Sequence, residues 1–215
     1  MKIGTVASGV GVATTLQLAY CPEKLRFIAA TAPTAVKVNV LGVGVITDLD
    51  AAGLLSFGRR RKISFPANGY EIPLADGLIG GKNVEITIIN SAAVAFDLYV
   101  DSNNIGGLGY VECLRQTVFA SSVFEASKFA MLGLGNLAAT DQIDVTFADG
   151  TVQKVEPAEL PFMVANYQVD SATVKVIDNI DNEVKSVRFI PAANEVIYLM
   201  TYRFTDLAKS FQVTR

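Results

Sequence analysis

Three groups of side chains in this 215-residue chain could do chemistry, and none is of the usual catalytic kind. Arg59, Arg60, Arg61 and Lys62 form the sole basic run, in a chain where 18 Lys and Arg face 21 Asp and Glu for a formal net charge of −3. Four adjacent positive charges can meet anionic lipid head groups, nucleic acid or an acidic patch on a neighbour; equally, they keep an exposed loop end solvated. No basic stripe interleaved with aromatics accompanies the run, so nucleic-acid readout gains no further support. Asp178, Asp181 and Glu183 are a candidate metal set, since hard carboxylate oxygens suit calcium. Their spacing matches no standard calcium loop, and Asp and Asn gather in turns for backbone reasons alone. Cys21 and Cys113 are compatible with one disulfide or, more plainly, with two buried free thiols. They make neither a CxxC redox site nor a Cys-rich zinc site.

What is missing narrows the field further. The chain has no His, which removes the commonest general base, the usual metal ligand and every Ser-His-Asp or Cys-His arrangement. It has no Trp, the usual stacking platform for sugars. No Walker loop, GxSxG elbow or EF-hand loop occurs. Gly77, Gly80 and Gly81 precede a strand pattern rather than opening a helix, and a phosphate cradle needs the helix N-terminus. These absences predict a non-enzymatic chain with no cofactor and no catalytic residue.

The elements that must position these groups follow from composition and period. Hydrophobic residues make up 51% of the chain and charged ones 18%, against roughly 25% charged in an average globular domain, and mean hydropathy is +0.37. That excludes a disordered chain. A membrane-spanning helix needs about 20 nearly uninterrupted apolar residues; Lys37 and Asn39 break the run over 35–46, and Lys128 and Asn136 break the run over 124–139. The N-terminal apolar stretch is diluted by Thr5, Ser8, Thr14 and Thr15 and does not read as a secretory leader. The apolar excess therefore points to surface buried against neighbouring subunits.

Period-2 alternation dominates. It predicts a strand over 15–20 with its partner over 25–30, a Val-rich strand over 36–40, and a tight corner at Gly42 and Gly44. A short helix capped by Asp48 is predicted over 48–57. Strands follow over 62–65 and 70–74, then a hairpin of 84–90 with 94–101. The Gly- and Asn-rich stretch 101–109 is the candidate boundary between an N-terminal unit, 1–105, and a C-terminal unit, 106–215, though one continuous domain fits as well. Beyond it come a strand over 110–120 and a helix over 121–132, with Val123, Phe124, Ala126, Phe129, Ala130 and Met131 as its apolar face. A hairpin over 143–155 turns at Asp149-Gly150, and a meander is predicted over 172–178, 184–190 and 195–204. The expected fold class is all-β: an antiparallel sandwich or barrel with one or two short helices.

The order of these elements carries a resemblance. The strand pair and short helix over 36–57, the pair closing at 101, and in the second half 143–155 leading through Asp149-Gly150 into Glu159-Leu160, before the long strand 195–204, repeat one scheme in each half. This resembles the jelly-roll coat proteins of tailless, lipid-containing icosahedral bacteriophages. The resemblance implies a jelly-roll sandwich, either two tandem small barrels or a single barrel with a long appendage. It also implies a structural protein that self-assembles into a viral capsid shell as a homo-oligomer, often a trimeric capsomer, with other virion proteins. Such a protein resides in the virion after assembly in the host cytoplasm, binds no small-molecule substrate, and would turn Arg59 to Lys62 toward membrane lipid, nucleic acid or a neighbour. The alternative reading of the residues is a monomeric β-sandwich binding module of a bacterial surface or adhesin type, using the loops 101–109 and 178–183.

Overall fold

The computed structural model describes residues 1–58, 66–101, 106–107, 109–118, 122–126, 129–162, 174–179, 181–193 and 195–203. The strands of the first half are β1 (Lys2–Val6), β2 (Ala13–Cys21), β3 (Lys24–Ile28), β4 (Ala35–Val40), β5 (Gly44–Asp50), β6 (Gly69–Pro73), β7 (Ile79–Ile89) and β8 (Phe96–Asp101), with the helix α1 (Ala51–Phe57) after β5. Those of the second half are β9 (Val111–Val118), β10 (Ser122–Glu125), β11 (Phe129–Gly135), β12 (Gln142–Phe147), β13 (Val152–Val155), β14 (Lys175–Asp178), β15 (Val184–Ile190) and β16 (Glu195–Arg203).

Strand order makes the architecture plain. In the first half β1-β8-β3-β6 form one sheet and β2-β7-β4-β5 lie side by side in another. Adding eight to each number gives the second half: β9-β16-β11-β14 side by side, and β10-β15-β12-β13 as a separate sheet. Each set of eight is a jelly roll, two Greek keys folded into a two-sheet sandwich. The rolls are fused where β5 runs parallel to β9, Thr47 opposite Cys113 and Asp48 opposite Leu114, which joins one sheet from each into a continuous eight-stranded sheet.

Two cores result. One gathers Leu25, Phe27, Val36, Val38, Ile46, Tyr70, Ile86 and Leu98 inside the first roll. The other gathers Leu132, Leu134, Ile143, Val145, Val187, Phe189 and Leu199 inside the second. The shared sheet serves both: Met131, Tyr198 and Met200 belong to the first core, whereas Leu132, Leu134, Ile197 and Leu199, alternating with them along β11 and β16, belong to the second.

That double burial overturns the helix expected over 121–132. The segment forms β10 and β11, and β11 is buried along almost its whole length. A strand covered on both faces reads as a continuous apolar run, which sequence period does not separate from a broad helical face. The other helix exists but starts later: Asp50, not Asp48, is the N-cap, its side chain accepting the Gly53 N–H at 3.0 Å.

Several pairings also differ from expectation. The strands expected to form the 84–101 hairpin lie in different sheets, β7 between β2 and β4, and β8 between β1 and β3. Likewise β2 does not pair with β3, and β14, β15 and β16 form no meander. Alternation fixes which face a residue takes but not which strand lies beside it, and a jelly roll sends consecutive strands to opposite sheets. Short hairpins behave as expected: β12 pairs with β13 across Asp149-Gly150, with Gly150 at φ 89°, and Gly42 and Gly44 turn β4 into β5 at φ 80° and 117°. The strand expected over 62–65 lies outside the described residues.

Candidate functional site

The joint between the rolls holds a polar site built on the shared sheet. β5 ends at Asp50, and the uncharged sequence Ala-Ala-Gly-Leu-Leu-Ser-Phe that follows forms α1, which lies against β11 and β16 of the second roll. Asp50 is a hub. One carboxylate oxygen caps α1 and accepts the Tyr198 hydroxyl at 2.7 Å, and the other lies 3.2 Å from Arg115 Nε. Tyr198 and Arg115 are cross-strand partners on β16 and β9. Phe57 meets the Tyr198 ring edge-on at 6.4 Å between centroids. Gly53 lets the helix close on that ring: a Cβ there would stand 2.8 Å from Tyr198 Cδ1 and Cε1 and 2.9 Å from Leu49 Cδ2.

Electrostatics follow the geometry. Burial works against the charge on Asp50, but the Gly53 N–H, the Tyr198 hydroxyl, the Arg115 guanidinium and the Ala52 N–H outweigh it, holding the carboxyl below the usual carboxylate range. Burial, reinforced by the hydrogen bond to Asp50 and its charge, pushes the Tyr198 phenol up to about 12. The phenol is thus a permanent donor and Asp50 a permanent acceptor at neutral pH.

The candidates from sequence fall elsewhere. Asp178 closes β14, and Asp181 and Glu183 are exposed on the turn into β15. The turn expected at 179–182 is built by a residue whose buried bonds the sequence did not reveal. Asn179, 5% exposed, donates through Nδ2 to the carbonyls of Ala126, Phe129 and Val184 and accepts the Val184 N–H. Among the described residues no group of three or more Cys, Asp or Glu is arranged to hold a metal ion. Arg59, Arg60, Arg61 and Lys62 lie outside the described residues. Cys21 and Cys113 are free, buried thiols. Burial raises Cys21 to about 12, and burial together with the Glu112 charge raises Cys113 too, so neither is a nucleophile at neutral pH.

A second missed site lies on the outer face of the β1-β8-β3-β6 sheet. Met1, Thr5, Arg26, Ile28, Asp97 and Tyr99 line an open hollow of about 630 Å³. Lys2 pairs with Asp97 at 2.8 Å, and Arg26 bridges Glu71 and Asp101, each at 2.5 Å. Lys24 also reaches Glu71, at 3.4 Å. Ile28 and Tyr99 stand 54% and 42% exposed among these charges. Their signal in the sequence was a tyrosine in the fourth position of the last strand of each half, legible only once the eight-strand repeat is known.

No protein-family description matches the chain, and no curated protein sequence does. A crystal structure of a protein from Eubacterium rectale aligns over 88% of this chain and 68% of its own at 10% identity, with a TM-score of 0.25, too slight to carry an argument. The crystal structure of the STIV MCP, a viral major capsid protein, matches over 100% of this chain and 98% of its own, at 13% identity and a TM-score of 0.60. From its first strand to its last, the chain is similar in fold to a viral major capsid protein.

Proposed function

We propose that this chain is a non-enzymatic structural protein that self-assembles into a viral capsid shell. The observation that carries the reading is the full-length likeness of fold to the STIV MCP. Composition supports it independently: a chain only 18% charged, with Ile28 and Tyr99 open on one outermost sheet and Val123 and Val152 exposed on strands of the other, has surface to bury against copies of itself. In this reading the protein resides in the virion of a tailless bacteriophage, after assembly in the host cytoplasm. It works as a homo-oligomer such as a trimeric capsomer, alongside other virion proteins. Its halves, 1–105 and 106–215, act as two tandem barrels, and Arg59, Arg60, Arg61 and Lys62 contact membrane lipid, nucleic acid or a neighbour. No cofactor, metal or small-molecule substrate is involved.

Electron microscopy and mass measurement of the purified protein at native salt test the reading. Shells or discrete capsomers are the expected result. A monodisperse monomer that forms neither, alone or with other virion components, overturns it.

A further inference from the structure

The eight-strand repeat makes each roll a template for the other, and at one corner the two differ. Where the first strand of the first roll passes the second, the corner is packed shut. Gly4 of β1, opposite Leu98 of β8, has no side chain, and Leu16 of β2 fills the space over it so closely that a Cβ on Gly4 would stand 2.7 Å from Leu16 Cδ1. Leu98 is the third residue of β8; the third residue of β16 is Ile197, and Gln116 of β9 stands opposite it. Here, between β9 and β10, the corner is hollow. A cavity of about 310 Å³ lies between the two sheets of the second roll, walled by Leu114 and Gln116 of β9, Phe124 of β10, Phe129 and Leu132 of β11, and Leu199 of β16. Leu132 and Leu199 are buried members of the second core, whereas Leu114, Gln116, Phe124 and Phe129 are half-buried, so the cavity reaches the surface. Close-packed interiors hold few voids larger than a water molecule, and this one is several times that size.

Independently of the coat-protein reading, we propose that this cavity binds an alkyl chain, which takes in the second roll the place that the Leu16 side chain takes in the first. The wall selects for hydrocarbon. Five of the six side chains named above are apolar, and a buried water needs two to four polar partners that they do not offer. At the far end Thr201 donates its hydroxyl to Glu112 at 3.1 Å, so that hydrogen is used within the wall. Shape selects for a chain over a ring. The lining runs along β9 from Glu112 to Gln116, about 13 Å at roughly 3.3 Å per residue, and the volume spread over that length leaves a cross-section near that of one hydrocarbon chain. At roughly 30 Å³ for a water-sized group, the cavity holds about ten heavy atoms. Gln116, at the other end, bonds to no described residue, and its half-buried amide is placed to hold a small polar head such as a hydroxyl or carboxyl.

Calorimetric titration of the purified chain with 1-octanol tests the site. Saturable binding of one octanol per chain is expected, together with a raised Tm. Leu114→Trp, whose larger side chain fills the cavity from β9, is expected to weaken octanol binding at least tenfold in a folded chain. Phe124→Trp fills the same space from the opposite sheet and serves where the first variant does not fold. Octanol that shows no saturable binding to the wild type, or that binds a folded tryptophan variant as tightly as wild type, overturns the proposal and leaves the coat reading standing. With binding established, the mass of the compound extracted by organic solvent from the natively produced protein distinguishes a free alcohol or acid from the acyl chain of a lipid.

Discussion

Tyr198 donates its hydroxyl to Asp50 at 2.7 Å across 148 positions of sequence, and this bond ties the last strand of the second roll to the helix cap of the first. Because Asp50 also caps α1 and faces Arg115, one carboxylate couples a local structure to a long-range docking. Replacing the phenol with Phe keeps the ring packing and removes only the bond. Tyr198→Phe is expected to lower stability by about 1 kcal/mol, below the roughly 1.5–3 kcal/mol of a buried hydrogen bond to a charged group, because Asp50 is about a third exposed. Urea unfolding at pH 7 measures it.

Gly53→Ala sets two effects against each other. Ala favours a helix over Gly by about 0.8–1 kcal/mol. The added methyl, however, meets the Tyr198 ring, which Asp50 and Phe57 hold in place, and overpacking of this kind costs about 1–3 kcal/mol. The clash is expected to win, with a net loss near 1 kcal/mol in chemical denaturation; a gain in stability would show that the ring yields.

Stability should depend on pH in two windows. Asp50 is more acidic folded than unfolded, so its contribution is complete above the unfolded value near 3.8 and is lost as pH falls through the lower folded value. Tyr198 is raised from 10.0 to about 12, so its contribution is complete below pH 10 and is lost between pH 10 and about 12. Cys21 and Cys113, raised by burial from 9.0, and Tyr110, raised from 10.0, add to the alkaline fall, so Tm across pH 2–12 should plateau between the acid window and about pH 9, and Tyr198→Phe should lessen the alkaline fall while keeping the acid one.

Asn179→Ala strands three carbonyls and one N–H that the side chain now satisfies. Several are buried, so the expected loss is about 2–4 kcal/mol. Asn179→Asp should be no milder, because a carboxylate would face the carbonyls of Ala126, Phe129 and Val184. Thermal unfolding of both variants decides the point.

Thr47→Val should stabilise. The Thr47 hydroxyl is buried beside the β5–β9 seam and finds no hydrogen-bond partner among the described residues. Exchanging it for a methyl of similar shape removes a desolvated polar group, for an expected gain of about 1 kcal/mol.

How much of this was legible in the sequence depended on range. Turns whose chemistry is local were readable: Asp149-Gly150 and Gly42 with Gly44 need no partner to demand their backbone angles. The all-β class was readable from alternation. The pairing of β7 with β2 and β4 was not, since nothing in residues 84–101 reveals that the chain crosses to the other sheet after Asn90. Phe129 to Leu134 misled for a related reason, their unbroken hydrophobicity recording burial from two sides. The joint was invisible because its parts are unremarkable singly: an Asp at a helix start, a Tyr in a strand, an Arg between Leu114 and Gln116.

The parallel run of β5 beside β9 has one more effect. With every other strand pairing among the described residues antiparallel, it makes the odd-numbered strands of both rolls travel the same way, so their loops share one pole of the molecule. The loops over 7–12, 29–34, 90–95 and 191–193 there hold no charged residue, and 136–141 holds only Asp141, 2% exposed and bonded to the N–H groups of Ala138 and Ala192. Asp76, Asp149, Asp181 and Glu183 lie in turns at the opposite pole. Copies standing side by side would therefore set these charge-free loops on one skin, interrupted by Glu156 and Glu159 after β13, and the acidic turns on the other.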